Sequence, residues 1–144
     1  MSAPVGDLQE WRRLALGVLR KSGLIYDSSM MGLDEAYEIN AHGQPTGLVE
    51  LPVEWILDDA PYFGATGALP VPELIFKTYR DEFDVAYKEG TLAMLTFHPH
   101  VVGRRSRALH MEKLFEYIKS KPGVWFATAE QIARYVRQHA GMTN

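Results

Sequence analysis

Apolar positions recur every three to four residues in four stretches of the chain and run without interruption in others, and the two patterns divide it into helices and strands. Leu8, Trp11, Ala15, Val18 and Leu19 keep helical spacing after Asp7, whose carboxylate suits a helix start, and Gly23 supplies a stop. This predicts a helix over about residues 8–22. "LIYDSS" follows as a short strand, and "LVELPV", residues 48–53, as a second, after the turn-rich "NAHGQPTG". Between Trp55 and Pro72 the prolines and glycines predict an ordered loop without a long regular element. Pro72 then opens a helix whose Leu74, Ile75, Tyr79, Phe83 and Tyr87 form an apolar stripe, with Gly90 as its stop. "TLAMLTF" reads as a fully buried strand. Ser106 opens the next helix, with Met111, Leu114, Phe115 and Ile118 inward, before Pro122 and Gly123 end it. "VWFAT" is a last strand, and Thr128 with Gln131 makes a capping box for a final helix carrying Ile132, Tyr135 and Val136.

Strands that alternate with helices and are continuously apolar indicate parallel β-structure covered by helices, an α/β fold. About four parallel strands and four helices are counted in what reads as a single domain over residues 1–144. An eight-fold barrel needs about 250 residues, so the alternatives are a small open sheet or part of a barrel completed from elsewhere.

The composition narrows the chemistry. With 47% hydrophobic and 23% charged residues the chain has the balance of a folded domain. A net charge of −3 gives no field for nucleic acid, and the short basic knot Arg104, Arg105 and Arg107 reads as a solvated helix start. The absence of cysteine excludes disulfides, thiolate nucleophiles and Cys-ligated zinc. "MSAPVGDLQEW" lacks the pattern of a signal peptide, and no apolar run is long enough to span a membrane, so a cytoplasmic protein is expected.

The loops after strand ends carry the sites of parallel α/β proteins, and His98 stands at such an end, with Pro99 turning the chain away. His100 follows as a second imidazole, a metal ligand only if carboxylates converge on it and otherwise a solvated loop residue. Asp58 and Asp59, near Trp55, can bind substrate polar groups or act in acid–base chemistry, or can cap a turn. Asp27 with Ser28 and Ser29 reads as a strand end bonding local backbone, and no base accompanies either serine. His42 lies in a Gly/Pro turn, and His110 and His139 lie on helices as packing or solvated residues. There is no phosphate-binding glycine loop, HExxH or HxxxH.

Four segments in order, "GLIYDSSMMG", "LVELPVEWILDD", "LTFHPHVVGRRSR" and "GVWFATAEQIARY", resemble the C-terminal half of the polysaccharide deacetylase, or NodB-homology, superfamily. The resemblance is to its allantoinase-like and cyclic imide hydrolase branch. It implies a partial (β/α) barrel and hydrolysis of a non-peptide C–N amide bond in a small substrate. It also implies that His98, ending the segment Leu95, Thr96, Phe97, His98, is the general acid for the leaving group. Trp55, Asp58, Asp59 and His100 then line the substrate pocket. The family's Asp-Asp and His-x-x-x-His segments, which supply the base and the metal ligands, have no counterpart here. No cofactor is therefore expected on this chain alone, and a zinc-type divalent metal only in a completed assembly. The expected partner is a second copy or a chain bearing the missing half; the alternative is a non-catalytic, self-associating scaffold.

Overall fold

The computed structural model describes residues 8–41, 43–64 and 70–142. Asp7 and His42 lie outside the described residues. The chain forms two compact units: one holds the residues up to Met30, Ala36–Leu51 and the chain from Ala127 onward, and the other holds Met31–Glu35 and Pro52–Phe126.

In the first unit a helix α1 (Leu8–Lys21) precedes a sheet of three strands, β1 (Tyr26–Asp27), β2 (Tyr37–Ala41) and β3 (Gln44–Glu50), in the order β1-β3-β2. β1 runs parallel to β3, pairing Tyr26 with Val49 and Asp27 with Glu50, while β2 runs antiparallel to β3. The last helix of the chain, α6 (Ala129–His139), also packs on β3. Gln44 and Pro45 at the start of β3 are exposed, but Leu48, Val49, Glu50 and Leu51, covered in this way, are all buried, so the end of β3 has no solvent face. That explains its continuous apolar run. The capping box is present as the spacing predicts: Thr128 accepts the Gln131 N–H, and the Gln131 side chain accepts the Thr128 N–H.

The second unit is helical. A 3-10 turn (Trp55–Leu57) leads into α2 (Asp59–Phe63), α3 (Pro72–Glu89), α4 (Pro99–Val102) and α5 (Arg105–Lys119). Pro72 occupies the first turn of α3, and Gly90, at φ 74°, ends it by donating its N–H to Ala86 O. That φ is strained for any residue with a Cβ, which is why glycine stands there. Ile75, Phe76, Tyr79 and Phe83 of α3 pack against Leu114 and Ile118 of α5 as the centre of the core.

Several elements differ from the pattern-based expectation. The sheet is mixed, because the segment read as a turn contains the β2–β3 hairpin, whose strands begin among polar residues. "TLAMLTF" is extended, but among the described residues its ladder contact is the isolated parallel bridge of Thr96 to Asp58, and all seven residues are half-buried rather than buried. "VWFAT" takes no strand pairing either, and Trp125 and Phe126 are exposed. A strand is defined by its neighbour's hydrogen bonds, and apolarity alone does not supply one. In α3 the buried face includes Phe76 in place of Leu74, which is exposed, a rotation of one helical position.

Candidate active site

The second unit brings Asp58, Asp59 and His98 together. Thr96 donates its N–H to Leu57 O at 2.9 Å and accepts the Asp59 N–H at 3.1 Å, a two-bond clamp between chain segments far apart in sequence. The clamp sets Asp59 beside His98 across 39 positions. His98 itself is extended, at φ −102°, as a residue before proline prefers, and Pro99 then starts α4. Below it, Phe97 stacks on Phe76 with ring centroids 6.3 Å apart and meets Tyr79 edge-on at 5.8 Å, anchoring the backbone that carries the imidazole.

Asp59 has no solvent exposure, while the His98 side chain retains 40%. Both Asp59 oxygens accept the His98 backbone N–H at 3.1 Å, and Oδ1 lies 2.7 Å from the ring Nδ1. An ionised carboxylate only accepts, so Nδ1 carries the proton and the tautomer is set, leaving Nε2 as the ring nitrogen open to other partners. Asp58 stands slightly farther off, with Oδ1 3.6 Å from Nδ1, and caps α2 by accepting the Ala60 N–H at 2.8 Å. The hydrogen bond to Asp59 raises the His98 pKa above its ordinary value; burial opposes this and is outweighed once the charges of Asp59 and Asp58 add to the rise. The imidazolium therefore persists to higher pH than in a free histidine.

Of the other expected site residues, His100 lies beside this pair. His100, in the first turn of α4, is exposed, and its ring centroid lies 5.8 Å from that of His98. Trp55 is 67% exposed on the 3-10 turn. Arg107, read from sequence as a solvated basic residue, instead donates to Val101 O at 2.8 Å and places its guanidinium 4.2 Å from the Phe63 ring centroid, tying α4 to the core. Position gives no sign of that role, because it depends on which carbonyl the side chain meets. His110 stacks on Phe76, as a packing residue should, and the Ser28 and Ser29 hydroxyls bond Leu51 O and the Asp27 carboxylate, matching the local role expected of them.

Asp58, Asp59 and His98 offer ligand atoms within 4.8 Å of one another. They do not fit a divalent ion as arranged. Asp59 and Nδ1 face each other at hydrogen-bond distance across a proton, both Asp59 oxygens also hold the His98 N–H, and Asp58 Oδ1 holds that of Ala60. A metal at this place would have to displace the bonds that build the site.

No family model matches the chain. It is 30% identical over 164 residues to the peptidoglycan deacetylase of Helicobacter pylori, an alignment covering 91% of this chain and 56% of that protein. Among solved structures, the Puue allantoinase superimposes with a TM-score of 0.78 at 26% identity, over 99% of this chain and 45% of the other. A probable polysaccharide deacetylase from Pseudomonas aeruginosa gives a TM-score of 0.78 at 28% identity, over 93% of this chain and 45% of that one. Over most of its length the chain is thus similar to polysaccharide and peptidoglycan deacetylases and to an allantoinase. It spans about half the length of these proteins. Among its described residues, no helix is long and apolar enough to cross a membrane.

Proposed function

We propose that this chain supplies the general acid and part of the substrate pocket of a deacetylase-type hydrolase that cleaves a non-peptide C–N amide bond. The supporting observation is the 2.7 Å contact between Nδ1 of half-exposed His98 and the carboxylate of fully buried Asp59. In amide hydrolysis water adds to the carbonyl carbon, and the tetrahedral intermediate then breaks its C–N bond. The departing nitrogen needs a proton, which His98 delivers from Nε2 while Asp59 stabilises the imidazolium through Nδ1. Asp59 thus acts behind the imidazole as a positioning residue, because a carboxylate without solvent exposure does not meet substrate. Asp58, Trp55 and His100 are the residues to which this reading assigns contact with the substrate.

The reaction also needs a base and an electrophile, which in this reading come with the rest of a barrel of which this chain is a part. A second polypeptide, or a second copy, completes it. Exposed apolar side chains support such a partner: Leu14 and Val18 on α1 of the first unit, and Trp125 and Phe126 in the second. The location is cytoplasmic and the substrate a small amide.

The test is amide hydrolysis by the chain alone and after co-expression with the other half of a superfamily member. Negligible activity alone, activity on co-expression, and its loss in His98→Ala are expected. Activity unchanged in His98→Ala overturns the assignment. A stable oligomer that no partner activates favours the scaffold reading instead.

A further inference from the structure

We propose that Glu50 and Asp27 in the first unit form a second acid–base site, a carboxyl pair in which buried Glu50 keeps its proton. Glu50 ends the central strand of the sheet and is fully buried. Asp27 is its register partner on β1, so the two side chains project from the same face of adjacent strands. Glu50 Oε1 accepts the Met30 N–H at 2.8 Å, but Oε2 has no hydrogen-bond donor. The group acting on Glu50 at side-chain hydrogen-bond range is the carboxyl of Asp27, another acceptor. Two carboxylates in contact cannot both be ionised in a buried place, and a proton on one turns two facing acceptors into a donor and an acceptor.

The environments decide which group keeps the proton. Asp27 is partly exposed and takes a hydrogen bond from the Ser29 hydroxyl. Glu50 has no solvent and its Oε2 no hydrogen bond; burial first raises its pKa, the Met30 N–H opposes this, the Asp27 carboxyl adds to the rise, and the Ser29 N–H acts against it. Among the described residues, the cations of the surrounding elements are not among the groups that act on Glu50. Arg137 of α6 reaches β3 at the Gly47 carbonyl, 2.9 Å away, Arg20 and Lys21 stand in the last turn of α1, and Tyr37 of β2 is the other register partner. The charge that acts on Glu50 is that of Asp27.

This site is separate from the His98 dyad and stands or falls independently of amide hydrolysis. Because the folded state raises the Glu50 pKa, the folded protein binds this proton more tightly than the unfolded chain. The stabilisation is complete below the ordinary glutamate value and is lost as pH rises through the raised one. Within that window the folded-to-unfolded ratio falls about tenfold per pH unit.

The experiment is a carbon-13 titration of the side-chain carboxyls in the whole chain, with denaturant unfolding followed across pH. Expected are a Glu50 carboxyl titrating above the ordinary glutamate range, a lower titration point in Asp27→Asn, and loss of the alkaline fall in stability in Glu50→Gln, whose amide donates to Asp27 without titrating. A Glu50 signal in the wild-type chain that titrates at or below the ordinary value overturns the proposal even if neither variant folds. So does a Glu50→Gln variant that keeps the wild-type pH dependence.

Discussion

Each unit buries one carboxylate completely, Asp59 in the second and Glu50 in the first, and treats it in an opposite way. Asp59 meets a base: the imidazole and backbone N–H of His98 give its oxygens three hydrogen bonds, and the pair is stable with the proton on nitrogen. Glu50 meets another acid and a single backbone hydrogen bond. Burial penalises charge in both places, so the deciding quantity is the number of donors. The two N–H donors of His98, one of them on a ring that can carry a positive charge, hold Asp59, whereas a single hydrogen bond and an acidic neighbour make the neutral acid the better form of Glu50.

Removing the proposed acid of the first arrangement should have the largest effect. In a completed assembly His98→Ala should lower the hydrolytic rate by about 10²–10⁴-fold, the usual range for a general acid, and should also lower the stability of the chain, because buried Asp59 loses the ring N–H. Next is Asp59→Ala, which leaves the backbone N–H at position 98 without its acceptor. It should cost about 1–3 kcal/mol of stability in denaturant unfolding. By contrast Glu50→Gln should stabilise the chain at alkaline pH, because the burial penalty falls on a charge that the glutamine lacks. If both substitutions destabilise equally at all pH values, the two carboxylates are not treated differently.

The smallest effect is expected for Tyr79→Phe. The Tyr79 hydroxyl is buried without a hydrogen-bond partner, and burial together with the charge of Asp59 raises its pKa, so it serves as a neutral ring in the core. Losing the oxygen should leave stability unchanged within about 1 kcal/mol or improve it slightly. A clear loss in thermal unfolding would show that the hydroxyl supports Asp59.

The sequence made the helices legible because their signals are local. The Pro72 start, the Gly90 stop and the Thr128–Gln131 capping box each need only a few adjacent residues, and all are present. The strands were less legible, since pairing depends on what lies alongside. "TLAMLTF" has the composition of a strand but contributes one bridge, while β2 and much of β3 lay hidden in polar residues. In the site, His98, Asp58 and Asp59 stood out by residue type and by their place at the ends of apolar segments. Their union did not, because it depends on the clamp at Thr96. Glu50 stands alone as a carboxylate in the apolar run "LVELPV", which is itself a signal that an acid is being buried.

The dyad can be tested directly by nitrogen-15 titration of the His98 ring in the wild-type chain and in Asp59→Asn. Wild-type His98 should titrate above the ordinary histidine value of 6.5 and, with the carboxylate charge removed, should move down. Stability should follow the same sign: the contribution of His98 is complete below the unfolded value and is lost as pH rises through the folded one, a loss that Asp59→Asn should reduce. A His98 titration at or below 6.5 in the wild type, or one that Asp59→Asn leaves in place, would contradict a general acid held by Asp59.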